Sequence, residues 1–405
     1  MKIWGLGYAI GLACAVTAAA APPIADVFTS PAATIAEATS RAGARLPDLA
    51  AADASRAQFA AQRRSTRGPF AGPPVVSGDI EIGSEGLSEQ EVGVSAGFRW
   101  PGEGRAARLA AERGGSVIDA TIDNARLLIA GEVRSAWWAL ASAQAVLAVE
   151  RDQAALADQE VAATTRLVLA GVQARRDLLL AQAERSAIDA RLSAAEQDLV
   201  TAQAAFGALA GPSPAQFPPE TPTSNSLGVD EHPAIRAAIA RAAAADARAV
   251  ASRFSSRPRI EGSVGVRRER DEVRGEFDNA LLLGVGIPIG RNYAAVAETA
   301  GAQAEALRAT AEAARVRTRL EAEGLAGARR LDVARRALGE AEARRNALVE
   351  ALALTERGRR EGEIGFLEVL RARQTVAQAT RDLAVARVAA LAAISTYNQA
   401  QGVLP

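Results

Sequence analysis

The chain repeats itself. Gly171, Asp177 and Ala181 recur as Gly362, Glu368 and Ala372, each pair about 191 residues apart. Upstream, Leu46-Pro47-Asp48-Leu49 has a counterpart in His232-Pro233-Ala234-Ile235, and Phe98-Arg99-Trp100-Pro101 in Val285-Gly286-Ile287-Pro288, at offsets only a few residues smaller. A duplicated chain must fold as two copies of one plan, which constrains the architecture before any motif is weighed. Between the copies, Gly211-Pro212-Ser213-Pro214 runs through Pro218, Pro219 and Pro222 to Asn225, a stretch that cannot continue a helix. The repeats are expected over residues 21–225 and 226–405.

Each repeat is expected to run helix, two strands, long helical pair. After Gly171, Leu178, Ala181, Arg185, Ile188, Leu192, Ala195, Leu199, Ala202, Phe206 and Leu209 step by three and four, a coiled-coil seam with only Arg185 out of character. Val369, Ala372, Val376, Ala379, Leu383, Ala386, Ala390, Ala393 and Tyr397 repeat it. Residues of about 105–170 and 292–361 lack Pro and are rich in Ala, Leu, Glu and Arg. Unbroken, about 60 residues of helix reach about 90 Å, so each pair is a hairpin of periplasmic dimensions with its tip near 171 or 362.

Four segments alternate with period two, over about 75–83, 92–100, 259–267 and 280–288. Val92, Val94, Ala96, Phe98 and Trp100 oppose Gly93, Ser95, Gly97 and Arg99 in the clearest of them. Each is roughly nine residues, enough to cross a bilayer at a tilt. Polar loops at Ser84 to Glu89 and Arg268 to Glu272 join the strands in pairs, and Trp100 beside Pro101 is expected at the membrane interface. The same pattern also fits a soluble antiparallel sheet with one wet face. As membrane strands, four fall short of the roughly eight that close a barrel, so other copies must complete it.

The N-terminus offers Lys2, an apolar run from Ile3 to Val16, and Ala18, Ala19 and Ala20 before Pro22 and Pro23, a secretory signal over residues 1–20. Cys14 lies inside the apolar run with Gly11 three places before it, a mismatch to the lipoprotein signal that leaves a lipid anchor open. The single Cys and single Met fall in this leader, so the rest of the chain offers His232 alone among soft ligands; disulfides and soft-metal sites are excluded. No later run approaches 18 apolar residues, so any membrane crossing must be made by a barrel. With 47 basic and 47 acidic residues intermixed, no face is built for nucleic acid. No Cys nucleophile, glycine-rich phosphate loop or paired His ligands are present, so no catalytic site and no cofactor are expected; His232 reads as a helix-start residue.

The paired motif G-x-x-x-x-x-[DE]-Ψ-L-x-A at Gly171–Ala181 and Gly362–Ala372, with the duplicated helix-strand-strand-helix-helix order, resembles the TolC-like outer-membrane efflux family. Pro101-Gly-Glu-Gly-Arg105 after the second strand looks most like its subgroup serving cobalt, zinc and cadmium resistance pumps. The resemblance implies a mainly α fold with a small β part: a homotrimer with a 12-stranded β-barrel in the outer membrane of a Gram-negative cell and a 12-helix tunnel extending into the periplasm. It implies docking on a periplasmic adaptor (membrane fusion protein) and an inner-membrane transporter of the proton-driven RND type. By position, Gly171, Val172 and Gln173, with Gly362, Glu363, Ile364 and Gly365, would meet the adaptor, and Asp177 and Glu368 would form acidic rings that gate the pore. Asp177 is equally placed to cap the following helix, and Glu363 and Phe366 depart from the first copy. The function implied is a passive exit duct, its substrate set by the pump. The rival readings are an adaptor, which would carry one hairpin and not two, and a soluble coiled-coil scaffold.

Overall fold

The computed structural model describes residues 30–82, 88–223, 228–270, 276–290 and 292–405, without the side chain of Asp48. The expected signal, Asn225 of the linker, residues 84–87 of the first strand-joining loop and residues 271–272 of the second lie outside the described residues.

Helix α1 (Ile35–Gly43) starts at Thr34, whose hydroxyl accepts the Glu37 N–H at 3.2 Å. Helix α2 (Pro47–Ser65) begins on a proline that needs no donor there. Strands β1 (Val75–Ile82) and β2 (Ser88–Gly97) follow, then the 67-residue α3 (Glu103–Leu169) and α4 (Arg175–Ala210). After the linker the order recurs as α5 (Pro233–Ser252), β3 (Glu261–Arg270), β4 (Asp278–Gly286), the 68-residue α6 (Tyr293–Arg360) and α7 (Phe366–Ala400). None of the described helices is long and apolar enough to cross a membrane.

Helices α3 with α4 and α6 with α7 pack as hairpins, and α3 packs on α7 between them. Every expected seam position is buried or half-buried. Arg185 fits because its guanidinium holds Asp158 on α3 at 2.5 Å and pairs with Asp189 on its own helix. The largest apolar core lies at the middle of α3, where Val133, Trp137 and Leu140 meet Ile35 and Ala38 of α1 and Phe206 of α4. The rings of Phe206 and Phe217 approach Trp137 edge-on, with centroids 5.8 and 5.3 Å away.

A buried polar lock crosses this waist. Arg134 of α3 donates in a fork to Glu220 of the linker at 3.0 and 2.6 Å, and to Gln399 of α7 at 2.6 Å. The Asn398 amide spans the linker, accepting from the Thr223 N–H and donating to the Thr221 carbonyl. Further along, Glu150 of α3 is buried against Arg381 of α7, and Arg373 of α7 joins Glu160 of α3 to Glu356 of α6.

His232 caps α5 as expected, its Nδ1 accepting the Ala234 N–H at 3.1 Å. Burial against the chain end at Gly402 holds its pKa below the ordinary 6.5. The unfolded chain therefore takes up this proton first as pH falls below about 6.5, and stability is lost on the acid side by at most about 1.4 kcal/mol per pH unit. The melting temperature should drop more between pH 7.5 and 5.5 for the wild type than for His232→Asn, which keeps a capping side chain. Equal drops would remove His232 from the acid sensitivity.

The strands form one antiparallel sheet in the order β1-β2-β3-β4. Its bounds correct the expectation: β2 covers Ser88–Gly97 instead of 92–100, and β3 covers Glu261–Arg270 instead of 259–267. Pairing continues outward through polar positions because ladder bonds use only the backbone, as in Glu89 opposite Glu269. At the inner end β2 gives way to a single bridge between Phe98 and Phe70, the Arg99 N–H turns to the Pro69 carbonyl, and its guanidinium donates to the Ser65 and Gly68 carbonyls at the end of α2 and just after it. Trp100 therefore lies beyond the strand it was expected to end.

Candidate functional site

The sheet is inverted relative to a soluble one. Opposed residues share a face, so one cross-strand rung reads Val76, Val94, Val264, Leu283 and another Gly78, Val92, Val266, Leu281. This apolar face is exposed, Val264 at 53% and Leu283 at 75%. The opposite face carries Ser77, Gly93, Gly265 and Leu282, then Asp79, Glu91, Arg267 and Ala280, then Glu81, Glu89, Glu269 and Asp278. On β2, β3 and β4 it is mostly half-buried while the valines and leucines stand out. At Gly93 and Gly265 the backbones pass so closely that a Cβ on Gly265 would lie 3.1 Å from the Val92 carbonyl oxygen. A soluble sheet buries its apolar face on a core; among the described residues no helix covers that face.

Aromatic residues mark both ends of the strands. At the helix end, Phe70 and Phe98 are tilted with centroids 5.5 Å apart, and the Trp100 indole N–H donates to the Pro258 carbonyl at 3.1 Å. Tyr293 and Ile289 are exposed where β4 passes into α6. At the loop end, Phe277 lies under Arg268 and Arg270. Sequence reasoning singled out Trp100 and missed Phe70, Tyr293 and Phe277; aromatic residues flanking each strand were the available signal.

At the far end of the long helices, both turns are built alike. Gly171 and Gly362 adopt φ of 73° and 83°, a left-handed conformation in which a Cβ is costly. The Val172 N–H returns to the Leu167 carbonyl, as Glu363 N–H does to Gly358, closing each helix. The copies then diverge. Ile364 folds back over Gly358, where a Cβ would meet its Cδ1 at 2.8 Å, and Phe366 is buried beneath Arg359. The departures at Glu363 and Phe366 are thus compensated by a glycine four residues before the turn. Asp177 lies in the first turn of α4, nearly buried, beside Gln173 at 3.5 Å and Arg176 at 3.4 Å. Glu368, its counterpart on α7, is exposed. Asp177 pairs with Arg176 of its own helix and not with a residue of the second tip.

No family model and no curated protein matches the sequence. Solved structures do match. The outer-membrane protein VceC from Vibrio cholerae shares 19% identity over 91% of this chain and 96% of its own, with a TM-score of 0.75. CusC shares 17% over 93% and 96%, at 0.74, and the outer-membrane channel OprN 20% over 91% and 89%, at 0.76. This is the TolC-like channel fold. Within that fold, the inverted sheet and the glycine turns occupy opposite ends of the helical hairpins.

Proposed function

We propose that this chain is the outer-membrane channel of a tripartite efflux system, secreted to the outer membrane of a Gram-negative cell and extending into the periplasm. The observation that carries this is the sheet's apolar face, exposed while its polar side is half-buried, a surface suited to lipid and unsuited to water. Strands β1 and β4 each leave one edge unpaired within the sheet, and three copies joined edge to edge would close twelve strands around an aqueous bore. The aromatic groups at the strand ends, Trp100 among them, would lie at the two lipid interfaces. Tandem hairpins argue against an adaptor, and the uncovered sheet argues against a soluble scaffold.

Outside the leader the chain has no Cys, so paired cysteines can test closure directly. Double variants scanning Val76, Gly78 and Ile80 against Leu281, Leu283 and Val285 should give covalent trimers in outer-membrane fractions extracted with detergent. Recovery of monomer in the soluble periplasm would refute the reading.

The tips, Gly171 to Gln173 and Gly362 to Gly365, would meet a periplasmic adaptor that links the duct to a proton-driven RND transporter. Asp177 and Glu368 would form threefold carboxylate rings at the narrow end. Cations suit this duct, because Asp79, Glu81, Glu89, Glu91, Glu269 and Asp278 crowd its polar face against Arg267. Heavy-metal cations are the proposed cargo, on the resemblance of Pro101–Arg105. In planar bilayers, Asp177→Asn with Glu368→Gln should raise the conductance of the resting pore several-fold. An unchanged conductance would remove the gating role.

A further inference from the structure

The two tips carry different chemistry on the same backbone. In the first, Leu169 is 83% exposed and Val172 72%, with Leu167 also exposed beside them. Their counterparts in the second are Arg360, Glu363 and Gly358; of that tip's own aliphatic residues, Ile364 covers Gly358 and Leu367 is 39% exposed. Exposed Arg166, Arg175 and Arg176 rim the first tip, and its one carboxylate, Asp177, is nearly buried. The second mixes Arg357, Arg359 and Arg360 with Glu361, Glu363 and Glu368 and has no surplus of either charge.

We infer that the first tip alone is the apolar anchor for the periplasmic partner, and that this partner presents a helical-hairpin turn carrying an aliphatic side chain flanked by Asp or Glu. The inference rests on the exit-duct reading only in placing the tips in the periplasm. An end-on contact with two helix termini offers no sheet edge and no groove, so the matching element is itself a compact turn. Desolvating Leu169 and Val172 favours an aliphatic side chain, and the basic rim, three arginines against the single carboxylate of Asp177, selects carboxylates against cations around it. The second tip fits a role in register and not in anchoring, because Leu367 alone is left exposed there against three aliphatic residues at the first tip.

The test is a photo-crosslinking amino acid placed singly at Leu169, Val172, Arg360 and Glu363 in intact cells, with the captured peptides sequenced. Positions 169 and 172 should capture one heterologous peptide with an aliphatic residue and an acidic residue within a helical turn of each other. Positions 360 and 363 should give about tenfold less of it, and Arg175→Glu with Arg176→Glu should cut the yield at 172 about tenfold. Equal yields at both tips, a peptide flanked by basic residues, a peptide from another copy of this chain, or no heterologous peptide would each overturn the inference. Trimer closure and bilayer conductance of the wild-type protein are measured apart from this, so a failed anchor and a failed channel give different results.

Discussion

Val264→Arg should abolish the proposed membrane-inserted trimer. Val264 sits mid-strand in β3 on the exposed apolar face, in the rung with Val76, Val94 and Leu283. A guanidinium on the lipid face of a barrel near the bilayer midplane costs about 2–4 kcal/mol, and a trimer would bear that three times. Asp79→Arg, on the opposite face in the rung with Glu91 and Arg267, replaces one solvated charge by another and should leave assembly intact. Trimer yield in outer-membrane fractions separates the two. Wild-type yield from Val264→Arg would show that the apolar face does not meet lipid.

Glu220→Ala should be the most damaging change away from the sheet. It leaves the Arg134 guanidinium, only 3% exposed, without the carboxylate that takes two of its hydrogen bonds. An uncompensated buried charge costs about 3–5 kcal/mol, whereas replacing both partners by apolar groups is often neutral. Glu220→Leu with Arg134→Met should therefore recover most of the loss in the denaturant midpoint. If the double variant is as unstable as the single one, packing and not pairing holds the linker.

The long helices were legible almost to the residue because Pro, Gly and the three-and-four spacing act locally, whereas α1, a second short helix before the strands of the first repeat, was not read. Expected spans of about 105–170 and 292–361 became Glu103–Leu169 and Tyr293–Arg360. Strand bounds were harder. The period-two signal fades where both faces turn polar, as at Glu89-Gln90-Glu91 and Arg267-Arg268-Glu269-Arg270, although the ladder continues through both. The pairing of β2 with β3 joins residues from opposite halves of the chain, and no local pattern announces it. At the tips the glycines were readable from their place after a helix. The exchange of Gly358 for a side chain under Ile364 was not, because it depends on how the loop folds back. Likewise Asp177 and Glu368 look equivalent in the motif, and only the packing around Gln173 makes one nearly buried and the other open.

The position of the main core has a mechanical consequence. Trp137 and its neighbours grip α3 near its midpoint, and no proline interrupts the helix on either side. From Trp137 to the turn at Gly171 the helix is a strut of roughly 50 Å. A tilt of about 5° at the waist would therefore move the tip by roughly 4 Å, more than the width of a water molecule. The Arg134–Glu220 lock lies at the fulcrum of this lever, where a small displacement is amplified most at the tip.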